Sequence, residues 1–234
     1  MNILDILFPK RCFNCQKWGE YFCSDCAKKL EAPRNQVCSV CNKISITGQT
    51  HPLCKSDKTL DGLICLFPYK SFVGKAIKAL KYKFAFSLAE DISTLSVKEL
   101  LKNKKAFQKL FDKAKPEKTI LVPIPLYKTR QNWRGFNQTE LIGKIIAKKL
   151  NWQFCPDLLL RIKKTSPQVS TPKEKREENI KQAFILNEKY QGKLKNKTVI
   201  LFDDVYTTGS TLKEGARAIS FSKSTTIWGL ALAK

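Results

Sequence analysis

The stretch Val199-Ile200-Leu201-Phe202-Asp203-Asp204-Val205-Tyr206-Thr207-Thr208-Gly209-Ser210-Thr211-Leu212 constrains this chain more than any other. An apolar, β-branched run ends in two acids, small hydroxyl residues surround one glycine, and a helical pattern begins at once. That order predicts a buried strand, a loop and a helix N-terminus. A strand that served only the core would have no use for consecutive acids at its end, because buried carboxylates are costly without partners. The junction therefore reads as a ligand site. Unpaired backbone N–H groups and the positive end of the helix dipole favour an anion there. The hydroxyls of Thr207, Thr208, Ser210 and Thr211 add donors, and Gly209 allows close backbone approach. Asp203 and Asp204 are poor phosphate ligands but good acceptors for vicinal sugar hydroxyls. A sugar carrying a phosphate satisfies both halves.

The other strong pattern lies near the N-terminus: Cys12-x-x-Cys15, Cys23-x-x-Cys26, Cys38-x-x-Cys41 and His51-x-x-Cys54. Each pair lets two soft ligands reach one tetrahedral metal, and four pairs supply two four-coordinate zinc ions. No ligand position is left for water, so the expected sites are structural. His51 is the single histidine of the chain. It stands where a fourth pair would carry its first cysteine, and the competing reading makes it a solvated loop residue. Consecutive pairing, Cys12/Cys15/Cys23/Cys26 and Cys38/Cys41/His51/Cys54, closes shorter loops than an interleaved cross-brace and is preferred. Cys65, in an apolar run, and Cys155, before Pro156, are expected as small hydrophobes rather than nucleophiles.

With 234 residues the chain has room for an α/β domain plus a small appendage. The expected division is a zinc-binding segment over 1–58 and a body over 59–234. Asp61 to Tyr69 reads as a strand, followed by a basic amphipathic helix with Val73, Ile77, Leu80 and Phe84 on one face, and then a long helical region over about 88–113. Thr119 to Leu126 reads as a strand ending in Pro123-Ile124-Pro125, followed by a polar loop over 127–138 and a helix over 139–150 with Leu141, Ile145, Ile146 and Leu150 inward. Residues 161–179 read as a long loop, 183–186 as a short strand, and 225–233 as the closing strand. Strands alternating with helices predict a parallel, doubly wound sheet with ligands at the carboxyl ends of its strands.

Lysine and arginine outnumber the acids 43 to 20, a net charge of +23. Such an excess points to a polyanionic partner or an anionic membrane surface. Residues 70–118 hold 13 lysines against five acids, and residues 161–197 hold 11 Lys and Arg against four acids. A solvated lysine-rich surface and a nucleic-acid groove both account for the first cluster. No apolar run approaches the roughly 20 residues needed to cross a bilayer, and Ile3 to Phe8 is too short for a signal-peptide core. The expectation is a soluble cytoplasmic protein. A weak peripheral anchor at the inner membrane surface, through Ile3 to Phe8 with Lys10 and Arg11, is the minority alternative.

The Asp203–Thr211 stretch resembles the phosphoribosyl diphosphate signature of type I phosphoribosyltransferases. That likeness implies that the acid pair binds ribose hydroxyls and the loop binds the 5-phosphate. The order of Pro123-Ile124-Pro125, Arg134-Gly135-Phe136-Asn137-Gln138, Pro167-Gln168, Arg176-x-x-Asn179, Ala183-Phe184 and Asp203-Asp204 is similar to the ComF family. That family joins a cysteine-rich zinc segment to a phosphoribosyltransferase-like domain and is associated with natural transformation. The resemblance implies phosphoribosyl diphosphate with Mg²⁺ as ligand, and pyrophosphate contacts from Lys128, Arg130, Arg134, Lys163, Lys164 and Arg176. It further implies a mobile loop over 161–179 and single-stranded DNA as a partner. Phe72, Tyr82, Phe84, Trp133 and Phe136 are candidates for base stacking, Trp133 and Phe136 foremost because they fall in a polar segment. Two alternatives stay open. One is an active phosphoribosyltransferase, although no base-binding segment is recognisable. The other is a scaffold whose zinc segment docks a DNA translocase, helicase or recombination protein.

Overall fold

The computed structural model describes residues 9–33, 35–80, 85–165, 176–220 and 225–234. Among them the elements run α1 (Ser24–Lys28), β1 (Gln36–Val37), β2 (Ile44–Ser45), β3 (Gly62–Phe67), α2 (Phe72–Leu80), α3 (Ala85–Lys102), α4 (Gln108–Lys113), β4 (Thr119–Pro123), α5 (Lys128–Arg134) and α6 (Gln138–Leu150). They continue β5 (Gln153–Phe154), β6 (Leu159–Arg161), α7 (Arg176–Ile180), β7 (Phe184–Leu186), β8 (Thr198–Val205), α8 (Ser210–Ile219) and β9 (Thr226–Ala233).

The expected α/β architecture is present. The main sheet has the order β3-β9-β8-β4-β5, with every neighbouring pair parallel. Its central strand β8 carries the unbroken apolar run Val199, Ile200, Leu201 and Phe202, all completely buried. A strand covered on both faces needs that composition, and each such side chain contributes about 1.5–3 kcal/mol. The last strand in sequence, β9, is internal in space, lying between β3 and β8, which accounts for the burial of Ile227 to Ala233. Helices α2, α3, α4 and α6 cover one face, and α8 with the antiparallel β6–β7 ribbon covers the other. Because β4 and β8 pair in register, Pro123 opposite Phe202, the segments leaving their carboxyl ends lie side by side. A ligand reaching one of them also meets the other.

The zinc segment straddles the β3 edge of this sheet. Its first half packs on the helical face, where Phe22 stacks against Phe72 with ring centroids 6.0 Å apart and Glu99 accepts the Ala32 N–H at 3.1 Å. The second half lies along the other face, with Val37 among Leu60, Leu63 and Cys65. Between them the buried Gln36 side chain closes the edge of β3. Its Oε1 accepts the Cys65 N–H at 2.7 Å and its Nε2 donates to the Cys65 carbonyl at 3.2 Å, so one amide does the work of a neighbouring strand.

Several expectations are corrected in detail. The long helical region is two helices, because Asn103 turns back on α3 and donates to the Glu99 carbonyl at 3.1 Å and to Glu99 Oε1 at 2.6 Å, while Phe107 is buried in the break. The polar segment after β4 is helix α5, stopped by Gly135 at φ 78°. Helix α6 starts afresh with Asn137 as N-cap, accepting the Thr139 N–H at 3.2 Å. Its buried face is Ile142, Gly143, Ile146 and Ala147, so Ile146 is inward as expected while Leu141, Ile145 and Leu150 are half-buried at the margin. Gly143 favours this orientation: a Cβ there would stand 2.9 Å from Leu121 Cδ2, so any other residue would force that side chain to shift. Val73, Ile77 and Leu80 of α2 face the core as expected. Phe84 and Tyr82 lie outside the described residues, as do 1–8 and the 166–175 portion of the long loop. The 183–186 strand is real but pairs antiparallel with β6, apart from the main sheet.

Candidate phosphate site and metal knuckles

Strand β8 carries the acid pair on its last turn of pleat, just before the strand ends at Val205. Successive side chains alternate between faces, so Asp203 and Asp204 leave the strand on opposite sides. Asp203 turns towards its own backbone, its Oδ1 accepting the Asp204 N–H at 2.8 Å. Asp204 is 8% exposed and faces α6, where Gln138 Nε2 donates to its Oδ2 at 3.0 Å. Gln138 in turn accepts from Arg134 Nη1 at 2.7 Å through Oε1. A guanidinium, an amide and a carboxylate thus form a chain from the last residue of α5 to β8, and the amide is oriented by its two unlike neighbours.

Beyond β8 the chain turns through Tyr206, Thr207 and Thr208 into Gly209, whose φ is 78°, and α8 starts at Ser210. Among the described residues no side chain caps this helix at Gly209. Thr208 and Ser210 hydroxyls lie 3.0 Å apart, and the Ser210 N–H points to Thr208 Oγ1 at 3.4 Å. Tyr206 fills the space beneath: a Cβ on Gly209 would stand 2.5 Å from its ring, so only glycine lets the loop close over the phenol. Thr207 remains exposed and Thr211 half-buried at the mouth of the loop.

The cations expected near this loop are placed unequally. Arg134 is half-buried and engaged with Gln138, and Lys128 is exposed at the start of α5. Arg130 lies in α5 and Arg176 opens α7, and of their side chains nothing is described. Lys163 and Lys164 are exposed past the end of β6, with Lys163 Nζ 3.5 Å from the Lys181 carbonyl. Arg161, which no sequence motif marks, joins the site: its Nη1 reaches the Pro125 carbonyl at 3.4 Å just past the end of β4, and its Nη2 contacts Thr165. Gln138, the last residue of the Arg134–Gln138 motif, is likewise a site residue that its residue type alone does not reveal. Trp133 is 75% exposed on α5 and Phe136 half-buried, whereas Phe72 is spent on packing against Phe22.

The cysteines gather into two groups, Cys12/Cys15/Cys23/Cys26 and Cys38/Cys41/His51/Cys54, and within each the ligand atoms lie within 4.8 Å of one another. The two groups follow the consecutive arrangement. A tetrahedral zinc with sulfur at about 2.3 Å separates its ligands by about 3.8 Å. Cys15 and Cys23 sulfurs stand 3.6 Å apart, and Cys41 Sγ lies 3.4 Å from His51 Nδ1, so both groups fit the ion. The two knuckles share one backbone turn. Gln16 N–H reaches the Cys12 carbonyl at 3.0 Å, Asn42 N–H reaches that of Cys38 at 3.0 Å, and both residues are left-handed, at φ 64° and 59°. His51 Nε2 lies 3.0 Å from the Ile44 carbonyl. A carbonyl only accepts, so Nε2 carries the proton and Nδ1 presents its lone pair to the cluster, the second contact that orients a metal-binding imidazole. Burial raises the Cys38 thiol, but backbone N–H groups of Cys41, His51 and Val40 outweigh it and hold the group down at about 7. Cys65 and Cys155 are buried away from both groups, and burial pushes the Cys65 thiol up to about 12, which suits a core residue.

Comparison with known proteins agrees with this arrangement. The Double zinc ribbon domain family matches residues 3–65. Competence protein F of Haemophilus influenzae is 26% identical over 231 residues, covering 90% of this chain and 96% of that protein. Competence protein ComFC of Bacillus subtilis is 27% identical over 214 residues, 87% of this chain and 79% of that protein. DNA utilization protein YhgH of Escherichia coli is 27% identical over 213 residues, 84% of this chain and 89% of that protein. No helix among the described residues is long and apolar enough to cross a membrane. The likeness to the ComF family drawn from the sequence is therefore borne out along most of the chain, with a double zinc ribbon at its N-terminal end.

Proposed function

We propose that this protein handles incoming DNA, and that it binds a phosphorylated ribose, phosphoribosyl diphosphate with Mg²⁺, at the end of β8. The observation that carries the reading is the placement of Asp203 and Asp204 at the end of β8, a short loop before a glycine-opened helix N-terminus. In this reading the acids accept the ribose hydroxyls. The N–H groups and hydroxyls of Thr207 to Thr211 receive the 5-phosphate, and Lys128, Arg130, Arg134, Lys163, Lys164 and Arg176 neutralise the diphosphate as charge-assisted donors. Mg²⁺, which prefers oxygen ligands, would accompany the diphosphate and spread its charge. The names of the relatives, competence and DNA utilization proteins, support the DNA side, as does the charge of +23. Single-stranded DNA is the partner proposed, its phosphates following the lysines and its bases stacking on exposed aromatics such as Trp133.

The ligand should protect the amides of 207–213 from hydrogen exchange and raise the melting temperature of the zinc-loaded protein. Unchanged exchange in that segment at saturating phosphoribosyl diphosphate and Mg²⁺ would place the ligand elsewhere. Pyrophosphate release in the presence of nucleobases would add a transferase activity to the same site.

A further inference from the structure

The loop at the end of β8 and the second metal knuckle are one mechanical unit. Tyr206, 2% exposed, runs from beneath Gly209 into the ribbon, where its hydroxyl donates to Asn42 Oδ1 at 2.8 Å and lies 3.4 Å from the Ser39 carbonyl. Ser39 and Asn42 belong to the turn between Cys38 and the residue after Cys41. Asn42 holds its left-handed conformation through the N–H bond to the Cys38 carbonyl. A second link runs from α8. Lys213 donates its backbone N–H to the Gly209 carbonyl at 2.9 Å, and its ammonium reaches the Val40 carbonyl at 3.5 Å and Glu177 at 3.3 Å. The knuckle is itself tied to the sheet, since Ser39 and Thr50 hydroxyls lie 2.8 Å apart and Thr50 Oγ1 donates to the Leu60 carbonyl at 2.6 Å. The phenol ring cannot shift without moving Gly209, and the turn that accepts its hydroxyl depends on the spacing of two metal ligands.

We propose that Tyr206 and Asn42 are positioning residues that join the second metal knuckle to the phosphate loop, so that metal at Cys38/Cys41/His51/Cys54 and a phosphate ester at Thr207–Thr211 stabilise each other. The proposal rests on the reading of that loop as a phosphate site. Metal in the knuckle fixes the turn, the turn fixes the phenol, and the phenol sets the opening of the loop at Gly209. Linkage makes the effect reciprocal: whatever the metal adds to phosphate affinity, phosphate adds to metal affinity. Nothing in this chain of contacts reaches the first knuckle, which sits on the opposite face among Phe13, Tyr21, Phe22 and Phe72. The two ribbons therefore differ in role, the first covering the helical face and the second steadying the ligand loop.

The test uses full-length, zinc-loaded protein with ribose 5-phosphate as probe, comparing wild type with Tyr206→Phe, which removes only the hydroxyl, and Asn42→Ala. Affinity is measured by calorimetry, zinc stoichiometry by metal analysis, and zinc release by transfer to a chromophoric chelator. The second site's release phase is identified as the one missing in His51→Ala. Expected are two zinc ions per chain in Tyr206→Phe, an affinity about five- to tenfold weaker than wild type, and wild-type release from the second site slowed several-fold by saturating ribose 5-phosphate. That slowing should be absent in Tyr206→Phe. Wild-type binding with unchanged affinity in both variants, and release indifferent to the probe, would overturn the coupling while leaving the phosphate site in place. A wild-type protein that binds no ribose 5-phosphate would overturn the loop reading and the coupling together.

Discussion

Gln138 donates to Asp204 at 3.0 Å while accepting from Arg134 at 2.7 Å, so a neutral amide separates a guanidinium from the buried end of the acid pair. The arrangement holds the Asp204 carboxylate in one orientation through a neutral donor. Gln138→Leu removes that donor from a carboxylate that is 8% exposed. It should cost about 1–3 kcal/mol in urea unfolding and weaken phosphoribosyl diphosphate binding in the same direction. Gln138→Glu should be worse than Gln138→Leu for binding, because it sets a second negative charge against Asp204.

The imidazole of His51 is oriented through Ile44, and its Nδ1 completes the second group of ligands. His51→Ala should lower the metal content from two zinc ions to one per chain, whereas His51→Cys should keep two. Metal analysis after extensive dialysis reads this directly. Retention of two ions by His51→Ala would show that the histidine is a bystander.

Gln36 closes the edge of β3 by pairing with both backbone groups of Cys65. Gln36→Leu leaves a buried N–H and carbonyl without that partner and should destabilise the fold by about 1–3 kcal/mol. Chelation should act on the same edge more severely, since releasing the ribbon uncovers a strand end to end. Light scattering after zinc removal should therefore rise in wild type, and faster in Gln36→Leu.

Binding to single-stranded DNA should fall steeply with salt, with a slope of roughly −0.7 per neutralised phosphate. Trp133→Ala, at a side chain that is 75% exposed, should weaken binding by about 1–3 kcal/mol if it stacks on a base, and should leave that slope unchanged. Replacing Lys163 and Lys164 with glutamine should flatten the slope instead. Affinity that does not vary between low and moderate salt would remove the nucleic-acid reading of the basic surface.

The parts of this architecture written in local sequence are legible from the residues alone. The buried run Val199–Phe202 is a central strand because nothing polar interrupts it, and the acid pair, Gly209 and the hydroxyls follow it within a few residues. Cys-x-x-Cys spacing declares a metal knuckle by itself. What is not legible depends on contacts between distant residues. Asn103 breaks the long helix by bonding to Glu99, Gly143 of α6 turns inward against Leu121, and β7 finds β6 rather than the main sheet. The tie from Tyr206 to Asn42 spans 164 residues of chain, and no periodicity encodes it. Gly135 and Asn137, by contrast, carry the stop and start signals of two helices, and read as caps they would have shown that the polar segment after β4 holds α5.

The central claim is that the acids ending β8 and the loop behind them hold phosphoribosyl diphosphate. Calorimetric titration of the zinc-loaded protein with phosphoribosyl diphosphate and Mg²⁺, wild type beside Asp203→Asn/Asp204→Asn, tests it most directly. The account predicts saturable binding in wild type and its loss in the double variant, with zinc content unchanged. Equal binding by the two proteins would contradict it.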